Sequence, residues 1–284
     1  MAEWTLQLLD TPVQMTAVED LQRLIWSGSE TEVVPASLLL ASIHNGGLAI
    51  GAYAQSGLIG FVFGFPGLSE SPAGLISKHC SHMLGVHPDW RNAGLGFALK
   101  RAQWQMVRHQ GLDCITWTYD PLLSCNAHLN IARLGAVCST YLCNAYGKMR
   151  DGMNAGLPSD RFQVDWWLRS RRVERRLGRT ARSGLKPDQV RVAGVETLAG
   201  VVDPTGWLHP PEKAAAMKGK LVLVEIPQDI LALKEADLSL AQSWRLHARS
   251  IFSQAFDLGY IVTDFVHDPE GSYYLLSDGK SYLE

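Results

Sequence analysis

The chain has 284 residues, of which 46% are hydrophobic and 19% charged, and its formal net charge is −2. This composition is typical of a globular protein that forms one large or two ordinary domains. The nearly balanced charge argues against proteins that bind nucleic acid or an anionic membrane through an extensive basic surface.

The N-terminal sequence has no basic leader followed by an apolar run, which argues against a signal peptide. No stretch reaches the ~18 consecutive apolar residues of a membrane-spanning helix. The five cysteines are odd in number and contain no CxxC pair, which favours reduced thiols over a disulfide framework or a zinc site. We therefore expect a cytoplasmic protein without a metal.

In chain order, the first 75 residues predict a strand, two helices and a hairpin. Thr16, followed by Glu19 three residues later, suggests a capping box at the first helix. A loop rich in glycine, proline and serine is expected at 64–74. The strands and the second helix are predicted at 4–9, 36–45, 48–54 and 58–64.

The segment 80–111 predicts a strand, a glycine-containing loop and a helix N-terminus. The strand ends at Val-His-Pro-Asp, 86–89, because proline fixes φ and favours an extended residue before it. Apolar residues then recur at helical spacing until Gly111, which suits the turn beyond a helix end. A glycine loop before a helix, with Arg91 beside it, is suited to bind a phosphate.

The sequence 86–99, VHPDWRNAGLGFAL, resembles the pyrophosphate-binding loop of the GNAT acyltransferases. The family pattern is Arg/Gln-x-x-Gly-x-Gly/Ala after a strand that ends in Val-x-Pro. The resemblance implies that acetyl-CoA or another acyl-CoA is bound here, at Leu84, Val86, Arg91, Asn92, Ala93, Gly94, Leu95 and Gly96. The alternative is a surface turn that needs its glycines only for backbone geometry.

The segment 112–168 continues with short strands and one helix. Strands are predicted at 114–119, 136–142 and 162–168, and a helix at 126–134. This order of elements matches what the GNAT resemblance implies for residues 1–168. We therefore expect an α/β fold with a mixed, twisted sheet and helices on both faces.

The composition changes at the arginine-rich sequence 169–182, which is interpreted as a solvated helix face or linker rather than a polyanion site. The predicted domains are a GNAT-like acyl-CoA-binding domain at 1–170, a linker at 171–188 and a smaller α+β domain at 189–284. In the last domain, strands are expected at 189–195 and 221–226, a long helix at 238–258, and a hairpin at 260–267 and 272–276. It is either a degenerate half-repeat of the first domain or an unrelated α+β appendage.

Acyl transfer to an amine requires a polarised carbonyl and a base. The resemblance implies that backbone amides near Leu84 and Val86 polarise the thioester carbonyl. Relatives often carry a glutamate on this strand as the base, whereas this chain has His79 and His82. Strand alternation places the two histidines on opposite faces unless a bulge intervenes, and we prefer His82 as the base. The alternative is an ordinary hydrogen-bonded histidine.

The acid that protonates the leaving thiolate is less clearly indicated. Many relatives place a tyrosine in the helix after the fifth strand, but 126–134 contains none. Tyr146 and Tyr141 follow the helix and are the candidates, with core packing as the alternative for each. The resemblance also implies that Asn126 bonds the pantetheine arm.

The polar segment 144–164 is the candidate acceptor site, because loops that gather polar residues beside a rigid scaffold often carry function. It resembles a sequence found in a poorly characterised GNAT-like branch, and that resemblance supplies no substrate. Arg161 would suit a carboxylate, which its planar group binds bidentately, and Asn154 would line the same pocket. The alternative is a long hairpin connection whose glycines serve turns.

The leading hypothesis is an enzyme, an acyl-CoA-dependent N-acyltransferase that acts on a small amine or amino-acid-like acceptor by direct transfer. The first alternative is a non-catalytic acyl-CoA-binding module that senses the cofactor or assembles with a partner. A nucleotide-binding regulator is a third hypothesis, which the absence of a Walker lysine disfavours. We expect a small-molecule acceptor as partner and, because homodimers are common, a homodimer.

Overall fold

A computed structural model of the protein describes residues 3–26, 30–72, 74–149, 152, 155–178, 194–211, 217–269 and 271–279. The chain divides into two compact units, each a mixed α/β arrangement as the sequence predicted. The first unit comprises Met1–Trp117, Arg150–Gly152 and Trp167–Ser170. The second comprises Thr118–Met149, Met153–Trp166 and Arg171–Glu284. The domain boundaries at 170 and 188 stay a prediction.

The first unit contains the strand order β1-β2-β3-β4-β5, in which the pairs are antiparallel apart from the parallel pair β4 and β5. Only the first four residues of β5 belong to this unit. Its elements are β1 (Thr5–Leu8), α1 (Pro12–Ile25), α2 (Ala36–His44), β2 (Leu48–Ala54), β3 (Gly57–Ser71), β4 (Gly74–Val86), α3 (Leu95–His109) and β5 (Cys114–Tyr119).

Helices cover both faces of this sheet. On one face, α1 and α2 pack over Phe61 and Phe63 of β3, together with Met15 and Leu39. On the other face lies α3, and a Cβ on Gly60 would come within 3.1 Å of Leu95 and 3.3 Å of Leu99. Phe61 and Gly60 point to opposite faces because side chains alternate along a strand. The mixed sheet with helices on both faces is therefore confirmed for this unit.

Two local predictions in this unit are wrong. The capping box is formed by Thr11 and Gln14 rather than by Thr16 and Glu19, because Pro12 starts the helix one turn earlier. The segment predicted as a loop, 64–74, instead extends the β3–β4 hairpin as far as the pair Ser71 and Gly74. Pairing with β2 ends at Gly64, so the prolines and glycines beyond it face no second strand and are tolerated.

The second unit contains the strand order β7-β6-β12-β13-β11-β8, in which only β8 and β11 pair in parallel among the described ladders, and a separate pair β9 and β10. Its strands are β6 (Val137–Leu142), β7 (Arg161–Trp167), β8 (Glu196–Leu198), β9 (Val201–Val202), β10 (Leu208–His209), β11 (Leu221–Ile226), β12 (Tyr260–Asp268) and β13 (Gly271–Asp278). Its helices are α4 (Ser124–Ala127), α5 (Arg171–Leu177), α6 (Ile230–Ala236) and α7 (Leu238–Asp257).

The core of the second unit is aromatic. The ring centroid of Phe162 lies 4.8 Å from that of Phe252 on α7 and 5.3 Å from that of Tyr274 on β13. The long helix and the closing hairpin occur where the sequence predicted them. Most of the strand predicted at 189–195 lies outside the described residues, and the half-repeat stays a hypothesis.

The helix predicted at 126–134 begins as α4 and continues as a π-helical segment, His128–Arg133. Arginines of α5 bond carbonyl groups at its end: Arg172 Nε donates to Gly135 O at 3.0 Å, and Arg176 donates to Ala132 O. Thus Arg171–Leu177, which was predicted to be a linker, forms a helix whose arginines cap carbonyl groups at the end of the neighbouring segment. No helix in the described part of the chain is long and apolar enough to cross a membrane.

Candidate functional site

Strand β4 contains a bulge at His82. Phe63 of β3 pairs with Met83 and the next residue, Gly64, pairs with Ser81, so His82 is the extra residue. A bulge bends the strand and re-aims the side chains beside it. The strand therefore changes direction at His82, the predicted base.

The edge of β4 that faces β5 separates from it beyond Cys80. The described pairing between the two parallel strands covers only His79 with Ile115 and Cys80 with Thr116. Ser81 and residues 83–86, which include Leu84 and Val86, pair with β3 but have no described partner on β5. Backbone groups on that edge are consequently available to a ligand that enters between the strands.

The loop after β4 ends in a helix N-terminus that no side chain caps. His87 Nδ1 accepts a hydrogen bond from Asp89 N at 3.2 Å, which fixes the turn after the strand. Asn92 and Gly94 both have positive φ, at 62° and 81°, and a Cβ on Gly94 would meet no atom within 4 Å. The first-turn N–H groups of α3, which have no acceptor within the helix, receive no hydrogen bond from a capping side chain.

Arg91, Asn92, Ala93 and Gly94 are exposed, whereas Leu95 is buried against the sheet and Gly96 is half-buried. The loop thus combines exposed backbone, a positive helix end and one arginine. These are the features that bind phosphate groups. The predicted cofactor residues of the first unit therefore lie on one continuous stretch: Leu84 and Val86 at the end of β4, residues 91–94 in the loop, and Leu95 and Gly96 at the start of α3.

His82 lies on the sheet face that α1 and α2 cover. Its ring centroid is 6.3 Å from that of Phe63 and 5.8 Å from that of Phe65. Desolvation by the surrounding side chains lowers the pKa of His82, although the residue is exposed to solvent. The imidazole is therefore neutral near pH 7 and able to accept a proton.

His79 points to the opposite face, towards α3, as strand alternation predicted. It is fully buried, and its Nε2 lies 3.2 Å from Nε2 of Gln103. Desolvation, with a smaller effect of the nearby Lys100, lowers the pKa of His79 to about 4. It is a neutral core histidine.

The tyrosine candidates belong to the second unit and differ in their surroundings. Tyr141 donates its hydroxyl to Oδ2 of Asp160 at 2.9 Å, and desolvation and the Asp160 charge raise its pKa. Tyr146 is 56% exposed, and its hydroxyl lies 2.6 Å from Oγ1 of Thr118. Of the two, Tyr146 has the proton that a ligand in solution reaches more easily.

A buried ionic network surrounds Tyr141. Asp160 is fully buried and accepts from Arg249 through Nε at 2.9 Å and Nη2 at 2.8 Å. Arg245 donates to Asp120 in the same bidentate way. Arg161 is 6% exposed, donates to the backbone oxygen of Asp160 at 2.9 Å and lies 5.5 Å from the centroid of the Tyr146 ring.

The remaining predicted residues are less informative. Asn126 is half-buried in α4, at the start of the segment that becomes π-helical. Asn154 lies outside the described residues. Within the described ranges, no group of three or more His, Cys, Asp or Glu side chains could hold a metal ion.

A buried polar cluster between α3 and β4 was not predicted from the sequence. Lys100 and Gln103 are both buried, one turn apart, beside Leu99 on the apolar face of the helix. Two polar residues on the buried stripe of an amphipathic helix were the available signal. The pairing of Asp160 with Arg249, which are far apart in sequence, had no such signal.

No family model and no curated protein matches this sequence. Among solved structures, the chain is similar to Arabidopsis thaliana NAA60 in complex with a bisubstrate analogue, at 16% identity over 58% of this chain and 99% of that one, with a TM-score of 0.44. It is also similar to aminoglycoside 6'-acetyltransferase type Ii, at 20% identity over 59% and 99% of the two chains, with a TM-score of 0.46. A third is the ribosomal-protein-S18-alanine N-acetyltransferase from Escherichia coli, at 14% identity over 58% and 94%, with a TM-score of 0.43.

Proposed function

We propose that the protein is a GNAT-type N-acyltransferase that transfers an acyl group, in the first instance acetyl, directly from acyl-CoA to a small amine or amino-acid-like acceptor. The observation that carries this proposal is the arrangement within the first unit. A bulged β4 diverges from β5 and leads through a glycine-containing loop into the uncapped N-terminus of α3.

The residues of this stretch fit acyl-CoA. A pyrophosphate suits the first-turn N–H groups of α3, the open space beside Gly94 and the positive charge of Arg91. The edge of β4 at Leu84 and Val86 offers backbone groups to a pantetheine arm and to an acyl oxygen. When bound, acyl-CoA supplies an activated thioester carbonyl. Asn126 is proposed as a further pantetheine contact.

His82 is proposed as the base that accepts a proton from the acceptor amine. Its lowered pKa keeps it neutral at pH 7, and its exposure leaves it accessible. Tyr146 is proposed to donate a proton to the leaving sulfur, with Tyr141 as the alternative. The new bond joins the amine nitrogen to the acyl carbon, and the carbon–sulfur bond breaks.

Arg161 and Asn154 are proposed to contact the acceptor, and a carboxylate is the group that Arg161 would bind. The packing of Arg161 against Tyr146 supports this assignment, because it holds the guanidinium in one orientation beside the proposed acid. We propose that the enzyme acts in the cytoplasm as a homodimer.

A non-catalytic acyl-CoA-binding module is the second candidate. Two observations favour it. Tyr141 is bound to Asp160 and its pKa is raised, so this tyrosine is a poor proton donor to a leaving thiolate. Strand β4 also contains no glutamate. Binding of acyl-CoA without turnover would identify this function.

The test is a calorimetric titration of coenzyme A and acetyl-CoA into the protein, its Arg91→Glu variant and the matched control Arg101→Glu. Both arginines are exposed and ten residues apart, but Arg101 lies within α3 rather than in the loop. We expect Arg91→Glu to abolish binding and Arg101→Glu to retain it. If the unaltered protein binds neither compound, the loop is only a turn and the proposal is wrong.

A further inference from the structure

A buried hydrogen-bonded cluster joins α3 to β4 directly beside the bulge. Lys100 Nζ donates to Ser81 Oγ at 2.9 Å and to Gln103 Oε1 at 3.0 Å. Ser81 Oγ also donates to Gln103 Oε1 at 2.9 Å, and Gln103 Nε2 is 3.2 Å from His79 Nε2. Two side chains of the helix therefore hold the two inward-facing residues that precede His82.

The same lysine reaches β5. Its Nζ lies 3.6 Å from the centroid of the Trp117 ring, one residue beyond the last described pair between β4 and β5. An amine N–H over an aromatic face is attracted by the ring electrons, whether or not the amine is charged. Lys100 thus contacts both strands at the point where they separate.

On β3, the residue opposite the bulge is Gly64, and no larger residue would fit there. A Cβ on Gly64 would lie 2.2 Å from His79 Nε2 and 2.4 Å from the carbonyl oxygen of Cys80. Real Cβ atoms do not approach other atoms so closely, so β3 must have a glycine where the register shifts. The bulge therefore depends on two features: β3 has a glycine at 64, which leaves room for it, and α3 contributes the polar side chains of Lys100 and Gln103, which bond to β4.

We propose that Lys100 and Gln103 are positioning residues, which hold the β4 bulge and thereby set the orientation of His82 in the acyl-transfer site. The part of this inference that concerns acyl transfer rests on the proposed function. The structural part, that the cluster fixes His82, stands without it.

A stabilising role alone does not account for Lys100. Burial strongly disfavours a charged amine, and desolvation lowers the pKa of Lys100 well below its usual range. An apolar side chain of similar length in this place is expected to leave stability unchanged or to increase it. The lysine is therefore better explained by the geometry that its two hydrogen bonds impose.

The test compares Lys100→Met with Arg101→Met, a control that removes the neighbouring exposed cation of the same helix. Three quantities are measured: the His82 titration by NMR of its ring protons, the Kd for coenzyme A, and kcat with an amine found by screening. For Lys100→Met we expect an unchanged or higher Tm, a Kd within about threefold, a kcat reduced by roughly tenfold or more, and a His82 pKa shifted upwards. Arg101→Met should change none of them.

An unchanged His82 titration and an unchanged kcat in a folded Lys100→Met variant would overturn the inference. If that variant does not fold, Ser81→Ala, which removes one hydroxyl from the same cluster, is measured instead and judged by the same criteria. The NMR titration requires no turnover. A shifted His82 pKa in a protein that binds no coenzyme A would therefore refute the proposed function while it supports the positioning role.

Discussion

Gly64 of β3 and His79 of β4 lie so close together that a methyl group on the glycine would overlap the imidazole at 2.2 Å. We therefore predict that Gly64→Ala lowers the free energy of unfolding by about 2 kcal/mol or more, because the overlap must be relieved in a packed interior. The measurement is urea unfolding. Gly67→Ala on the same strand is the control, since its Cβ would meet nothing nearer than 3.8 Å. Equal losses in both variants would contradict the prediction.

His79 makes stability depend on pH. Its pKa is about 4 in the folded protein and ~6.5 when unfolded, so the unfolded chain binds the extra proton as pH falls. The contribution of the neutral His79 to the free energy of unfolding is fully present above the unfolded pKa of ~6.5. It is lost as the pH falls from ~6.5 to about 4. The loss is about 2 kcal/mol at pH 5 and about 3 kcal/mol in full.

Urea unfolding at pH 7 and pH 5 checks this dependence in the parent protein and in His79→Gln. The variant should lose about 2 kcal/mol less between the two pH values. His44→Gln, which removes an exposed histidine from α2, should behave like the parent. A parent and a His79→Gln variant with the same pH dependence would show that His79 is not the group responsible.

Asp160 and Arg249 form a two-bond ion pair in the second unit. Asp160→Asn should lower the free energy of unfolding by about 2–3 kcal/mol, somewhat less than for a fully buried pair because the Arg249 side chain is 32% exposed. Asp113→Asn is the control, since Asp113 and its partner Arg169 are 67% and 54% exposed and such pairs contribute about 0–1 kcal/mol. The measurement is chemical unfolding of both variants. Similar losses in the free energy of unfolding for Asp160→Asn and Asp113→Asn would contradict the prediction.

The two tyrosines should differ in their effect on turnover. We predict that Tyr146→Phe reduces kcat by roughly 10²-fold, because it removes the proposed acid, while coenzyme A still binds. Tyr141→Phe should change kcat by less than about threefold, since the Tyr141 proton is donated to Asp160. Steady-state kinetics with acetyl-CoA and an accepted amine decide between them, and the reverse result would assign the acid to Tyr141.

The sequence alone was sufficient to predict the helices, strands and turns that are specified by residues close together in the chain. Proline at 88, glycine at 94 and apolar residues at helical spacing predict the end of β4, the loop and α3 where the structure has them, although β4 begins earlier than predicted, at Gly74. The long helix and final hairpin of the second unit were predictable for the same reason. Each signal comes from residues within one or two turns of one another.

Tertiary structure decided the rest. The bulge at His82 depends on the register between β3 and β4, and the extension of that hairpin depends on where pairing with β2 ends. The burial of Lys100 follows from α3 packing on β4, and the bond of Tyr141 to Asp160 joins residues 19 positions apart. Propensity and periodicity describe near neighbours in the chain, whereas these contacts arise only when distant segments pack together.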